Sequence, residues 1–261
     1  MQRVIAAAAL ACWIASNPAA AQETPAPAEA PPAVQTPEPP PELEAPKPAP
    51  EVEAPKRPPA VQTQVSQTAM TPAAALEKLR AGNFRFVANA PRERDWSAKV
   101  AATASGQYPF AAVLACMDSR APIEIVFDQG LGDVFGVRVA GNIVNDDELG
   151  SLEYAAKVGS KLIVVLGHTR CGAVKGALDG VQLGNLTGLL DRIHPAVEAA
   201  GCKSAKDEVC VDKVAELNVR QSMKEIREGS AYLAERIDQG RIALRGAMYD
   251  VATGRVRFLE E

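Results

Sequence analysis

Two short clusters carry the residue types that can do chemistry. His168-Thr-Arg-Cys171 sets an imidazole and a thiol three residues apart at the end of one apolar run. Cys116-Met-Asp118-Ser-Arg120 sets a thiol, a carboxylate and a guanidinium at the end of another. Thiolate and imidazole suit zinc and disfavour magnesium or calcium. His168 and Cys171 alone do not hold a metal, and Cys116 can be the third ligand. A Cys₂His set with its fourth position open is the arrangement of a catalytic rather than a structural zinc. An Asp-x-Arg pair is usually a surface salt bridge. Next to a ligand cysteine at a strand end, Asp118 and Arg120 read as working groups.

The elements around these clusters alternate between strand and helix. Lys161–Leu166 is β-branched, uninterrupted and bounded by Gly159 and Gly167, the pattern of a buried strand, with a helix following over Cys171–Asp179. Phe110–Ala115 is a second such strand, ending at Cys116, and Pro122–Phe127 reads as a helical turn. Asp133–Val139 is a third strand, and Asn145 caps a helix through Lys157 with Asp146, Asp147 and Glu148 in its first turn. Thr71 and Pro72 open an N-terminal helix. Further helices are expected around Lys213–Ile226 and Ser230–Asp238, then strands at Arg241–Met248 and Arg255–Leu259. The fold class is therefore α/β: a mostly parallel central sheet flanked by helices. Ligands bind such sheets at the carboxyl edge, where both clusters lie.

Composition divides the chain further. Residues 1–21 read as a secretory signal peptide: Arg3, an apolar Val4–Ser16 too short to span a bilayer, and small residues at Ala19–Ala21. Residues 22–66 form a proline-rich linker. Fourteen of the chain's 20 prolines lie between Pro25 and Pro59, and such a segment cannot bury enough apolar surface to order itself. Of the net charge of −4, about −1 is left for residues 67–261, the expected catalytic domain. A near-neutral domain argues against a nucleic-acid surface. No mature stretch is long and apolar enough for a transmembrane segment. The expected location is periplasmic or otherwise secreted. In that setting Cys202 and Cys210, in a polar connection between helices, are expected to pair as a disulfide.

Cys-x-Asp-x-Arg followed about fifty residues later by His-x-x-Cys resembles the β-class carbonic anhydrases. The likeness runs from roughly Ala75 to Glu260 and takes in Arg138-Val-Ala-Gly-Asn142 and Gly246-Ala-Met-Tyr-Asp250. It implies one Zn²⁺ per chain on Cys116, His168 and Cys171, and reversible hydration of carbon dioxide to bicarbonate by a zinc-activated hydroxide. It implies that Arg120 holds Asp118, which accepts a hydrogen bond from that hydroxide. Family members that swing the aspartate onto zinc as a fourth ligand typically have Trp three residues before the first Cys and Gly directly before it. Val113 and Ala115 stand there in this chain, which implies the open kind. The resemblance also places Gln107 at the substrate pocket, as an amide donor to substrate oxygen, and it matches Phe135 and Tyr154 to positions that line the pocket, commonly across a dimer interface. It makes the helix near residues 73–90 an N-terminal arm that wraps a partner in a homodimer or tetramer. Gly141 and Gly172 are expected to permit close backbone approach. His194 reads as a capping or packing residue, with a proton shuttle as the alternative. The same site would also serve carbon disulfide or carbonyl sulfide hydrolysis. A catalytically silent zinc scaffold is opposed by the presence of Asp118, Arg120 and Gln107 together with the ligands.

Overall fold

The computed structural model describes residues 60–260; the expected signal peptide and linker residues 22–59 lie outside them. In chain order the elements are α1 (Gln64–Ala69), α2 (Pro72–Val87), α3 (Trp96–Thr103), β1 (Ala111–Ala115), α4 (Ile123–Val126), β2 (Val134–Arg138), α5 (Asp146–Lys157), β3 (Leu162–His168), α6 (Gly172–Leu178), α7 (Gly184–Asp191), α8 (His194–Ala200), α9 (Glu208–Gly229), α10 (Ala231–Asp238), β4 (Ala243–Tyr249) and β5 (Val256–Phe258). A 3₁₀ turn at Ala140–Asn142 links β2 to α5. Among the described residues no helix is long and apolar enough to cross a membrane.

The strands form one sheet in the order β2-β1-β3-β4-β5. The first four are parallel, and β5 runs antiparallel beside β4. The uninterrupted apolar runs of β1 and β3 have a direct cause: both faces of the sheet are covered. Ala112 and Leu114 of β1, with Ile163 and Val165 of β3, pack under α5 to α10. Their neighbours Ala111, Val113, Ala115, Leu162, Val164 and Leu166 pack under α2 and α4. The connection from β1 to β2 runs on the α4 face and that from β2 to β3 on the α5 face. The order therefore reverses between β1 and β3, and a crevice opens at their carboxyl ends.

The arm is built as its caps require. Thr71 Oγ1 accepts the Ala74 N–H at 3.1 Å, Pro72 occupies the first turn, and Ala75 and Leu79 are buried against the sheet. Asn83 ties α2 to its surroundings, donating to the carbonyls of Val126 and Gly254 and accepting the Val256 N–H. Phe84, on the same helix, is 74% exposed.

Four expectations change. Ordered backbone begins before residue 67: a Thr63–Ser66 capping box starts α1 at Gln64, and the buried Gln67 amide donates to the Pro109 carbonyl at 2.7 Å. Gly167 does not end β3. The strand runs on to His168, because β4 pairs with it there, and a Cβ at Gly167 would lie 2.6 Å from Val219 of α9. The long helix starts at Glu208 rather than near Lys213, since Asp207 caps it by accepting the Cys210 N–H. Finally, no bounded element is expected between Asp179 and Lys213, yet α7 and α8 form there, with Leu190, Ile193 and Ala196 buried.

Candidate metal centre

Strand register performs the first step of assembly. Ala115 pairs with Leu166, so Cys116 comes level with Gly167, beside His168 at the end of β3. Cys171 then stands at the N-cap of α6. One ligand atom from each of Cys116, His168 and Cys171 lies within 4.8 Å of the others, and all three residues are buried. His168 Nδ1 lies 2.9 Å from the Thr169 carbonyl. A carbonyl only accepts, so Nδ1 carries a proton, and in the neutral ring Nε2 presents its lone pair. Nε2 is buried without a hydrogen-bond partner. Such an orphaned atom costs about 1–3 kcal/mol, which a cation seated between it and two sulfurs would recover. The donor set and its burial thus fit zinc.

The sulfurs of Cys116 and Cys171 lie 4.0 Å apart. The hydrogen bond with Cys171, aided by His168 and by the Gly141 N–H at 3.3 Å, lowers the Cys116 thiol to about 4 against the opposing effect of burial. The same contact with Cys116, reinforced by burial, raises Cys171. Two adjacent thiolates repel unless a cation lies between them, a second physical reason for metal at this position.

Asp118 is gripped by Arg120. The Arg120 backbone N–H and Nε each donate to Oδ1 at 2.9 Å, and Nη2 donates to Oδ2 at 2.8 Å. These side-chain bonds hold the carboxyl far below the usual carboxylate range. Asp118 Oδ2 is 3.9 Å from His168 Nε2, so the acceptor borders the ligand cluster while remaining committed to Arg120. The loop carrying the pair is itself fixed. Arg138 donates to the carbonyls of Asp118 at 2.6 Å and Cys116 at 3.2 Å, and the Tyr249 hydroxyl donates to the Arg120 carbonyl.

Of the two glycines expected to allow close approach, only Gly141 is constrained. Its φ is +69°, and a Cβ would meet Ile193 Cδ1 at 2.6 Å, whereas one on Gly172 would meet nothing within 4 Å. Gly141→Ala is expected to cost about 1–2 kcal/mol from the left-handed backbone alone, and to swing the N–H off Cys116. Thermal denaturation and zinc content should both fall; a variant matching wild type in both would contradict this account.

Several supports carry no mark in the sequence. Arg170, between two ligands, has φ +56°, and its N–H donates to Asp212 Oδ1 of α9 at 2.8 Å. Farther along α9, Asn218 Nδ2 donates to the Gly141 carbonyl at 2.7 Å and Ser222 Oγ to the Asn142 carbonyl at 2.9 Å.

The three expected pocket residues do not come together within the chain. Gln107 is exposed before the amino end of β1, and the five residues of that strand, about 16 Å long, separate it from Cys116. Phe135 and Tyr154 meet edge to face, centroids 5.9 Å apart. They line an outward-facing hollow of about 630 Å³ with Gly136, Asp147, Ser151 and Arg138, the same arginine that fixes the Asp118 loop. His194 is exposed at the start of α8, so it is not a packing residue. Cys202 and Cys210 are joined by a disulfide with their Cα atoms 5.8 Å apart, linking the end of α8 to the first turn of α9.

The family model described as carbonic anhydrase matches residues 111–256, from β1 to β5. The chain is 40% identical to carbonic anhydrase 2 of Mycobacterium tuberculosis over 70% of its own length and 91% of that protein. It is 38% identical to the carbonic anhydrase of Mycolicibacterium smegmatis over 71% and 92%. Among solved structures it is similar to the β-carbonic anhydrase CafA of Aspergillus fumigatus (29% identity, TM-score 0.58, 63% of this chain and 86% of that one). It is also similar to tetrameric β-carbonic anhydrases of Sordaria macrospora (27%, TM-score 0.56, 63% and 91%). The signature clusters, the parallel sheet that joins them and these matches have one common meaning: the chain belongs to the β-class carbonic anhydrases.

Proposed function

We propose that this enzyme hydrates carbon dioxide reversibly at a zinc ion held by Cys116, His168 and Cys171, with Asp118 and Arg120 orienting the attacking water. The observation that carries the reading is the buried, unpartnered Nε2 of His168, a residue clustered with two cysteines so that one ligand atom of each lies within 4.8 Å of the others, and its 3.9 Å approach to Asp118 Oδ2. When bound there, zinc would lower the pKa of a coordinated water so that hydroxide is available near neutral pH. Asp118, ionised by its bonds to Arg120, can only accept. The attacking water must therefore aim its O–H at the carboxylate, leaving a lone pair for the carbon of carbon dioxide. Arg120 keeps the carboxylate from turning onto the ligands, as the open kind of site requires. The naming of the curated relatives as carbonic anhydrases supports carbon dioxide over carbon disulfide or carbonyl sulfide.

The test is zinc content with stopped-flow hydration across pH. Asp118→Asn keeps the shape but removes the charge, and is expected to lower turnover on the order of 10²–10³-fold with zinc retained. Undiminished turnover in that variant would remove Asp118 from the mechanism.

A homodimer or a tetramer is proposed as the working assembly. Gln107 stands too far from its own Cys116 to serve it, and the exposed Phe84 of the arm supports a partner surface. Sedimentation showing an active monomer would reject this. Export to the periplasm or beyond is proposed as well, supported by the leader-like residues 1–21 and the Cys202–Cys210 disulfide. N-terminal sequencing of exported protein would find Gln22 first; an intact Met1 on cytosolic protein would reject it.

A further inference from the structure

We propose that Asp212 is a positioning residue for the zinc turn, and that the Cys202–Cys210 disulfide sets it in place, so that metal retention follows the redox state of that disulfide. The inference rests on the reading of Cys116, His168 and Cys171 as the zinc ligands.

Only Thr169 and Arg170 separate His168 from Cys171. Their backbone decides whether imidazole and thiol converge. Arg170 is left-handed at φ +56°, a conformation unfavourable for a residue with a side chain, which persists only where neighbours enforce it. On one side, the Thr169 N–H donates to the Tyr249 carbonyl at 2.9 Å, and Thr169 Oγ1 accepts the Val251 N–H at 3.1 Å. On the other, the Arg170 N–H donates to Asp212 Oδ1 at 2.8 Å. The Arg170–Glu208 ion pair, 3.3 Å long and half exposed at both ends, adds little. Asp212 is thus the one side chain shown holding the Arg170 amide.

Asp212 lies in the second turn of α9. Helix ends fray because their first N–H groups lack intrahelical acceptors. Besides the burial of Val211 and the weak Arg170–Glu208 pair, three bonds fasten the end here: Asp207 accepts the Cys210 N–H, Lys213 Nζ donates to the Ala200 carbonyl at 2.9 Å, and Cys210 is bonded to Cys202. Only the last of these can be opened chemically. A dithiol delivers two electrons and two protons to the S–S bond, leaving two thiols and becoming a cyclic disulfide itself. The first turn of α9 then loosens, Asp212 leaves the Arg170 amide, and the turn relaxes away from the geometry that converges His168 and Cys171. Asn218 and Ser222 lie two to three turns deeper and keep their hold on the 141–142 loop. The zinc site is therefore tight where disulfides persist and leaky where thiols are kept reduced.

The test follows zinc release from the full zinc-loaded chain to the chromogenic chelator 4-(2-pyridylazo)resorcinol. Asp212→Ala and the double variant C202A/C210A should each release zinc roughly tenfold faster than wild type. Asp212→Asn, whose amide oxygen still accepts, should recover most of the loss. Adding C202A/C210A to Asp212→Ala should change nothing further. Release from Asp212→Ala within about twofold of wild type overturns the inference. So does a cysteine effect of full size in the Asp212→Ala background, which would mark the disulfide as a general stabiliser. Near-UV circular dichroism checks folding. If Asp212→Ala does not fold, wild type opened with tris(2-carboxyethyl)phosphine gives the answer: faster release supports the coupling and unchanged release overturns it. A wild-type chain that takes up no zinc defeats the site assignment itself, whereas tight zinc with unaltered release defeats only this inference.

Discussion

His168→Ala is expected to leave the protein without zinc and to lower carbon dioxide hydration by on the order of 10⁴-fold or more, since water is then no longer acidified at neutral pH. The cause is specific to this site. His168 is 1% exposed, its Nδ1 is committed to the Thr169 carbonyl, and its Nε2 is buried without a hydrogen-bond partner. Two thiols remain, 4.0 Å apart, with the Gly141 N–H beside Cys116. They can attract a metal but cannot complete the three-ligand set of a catalytic zinc. Metal analysis and stopped-flow assay on the same preparation check the result. A variant that kept a full complement of zinc would show that the imidazole is not a ligand. Loss of zinc with turnover intact would show that the metal is not catalytic.

Asp128→Ala is expected to cost about 3 kcal/mol of stability, because it removes the buried carboxylate shared by two partly buried cations. The Asp128 side chain is 2% exposed. It pairs with Arg85 of α2 at 2.5 Å and with Arg94, and it accepts the Arg92 N–H. Arg94 also donates to the Asp128 carbonyl at 2.6 Å. This cluster pins the arm and the 92–94 segment to the turn after α4. Asp128 also has φ +44°, which alanine tolerates poorly and asparagine well, so Asp128→Asn should lose less. Burial pushes the carboxyl up, but the hydrogen bonds from Arg94, Arg85 and the Arg92 N–H prevail and hold it below its ordinary value. The sign follows. A folded-state pKa below the unfolded one stabilises the fold above about pH 4 and loses that contribution as pH falls through the folded value. Urea unfolding at pH 7 should show the full loss in Asp128→Ala. Asp128→Asn should lack the acid-side loss of stability attributable to this group. A loss under about 1 kcal/mol for Asp128→Ala would mean that the cluster is solvated in solution.

Chemistry was legible in the sequence where it is local. Cys116, Asp118 and Arg120 fall within five residues, and His168 and Cys171 within four, each at the end of a short apolar run that reads as a buried strand. The caps were legible for the same reason: Thr71 and Asn145 bond to amides two or three residues away. Helices α7 and α8 were not, because no local signature bounds them and they form where Leu190, Ile193 and Ala196 are buried.

By itself the sequence determined the donor types, hence the metal class, and the alternation of strand and helix that brings both clusters to one sheet edge. Tertiary structure alone decided what holds them there. The Arg170–Asp212 bond spans 42 residues and the Gly141–Asn218 bond 77. In sequence, Asp212 is one more charge in the polar connection before an expected helix and Asp128 one more turn residue. Tertiary structure also set Gln107 a strand's length from its own Cys116. Helical and strand periodicities record which face of an element is buried. They do not record which backbone amide, dozens of residues away, lies opposite a given carboxylate, since that depends on how the elements dock.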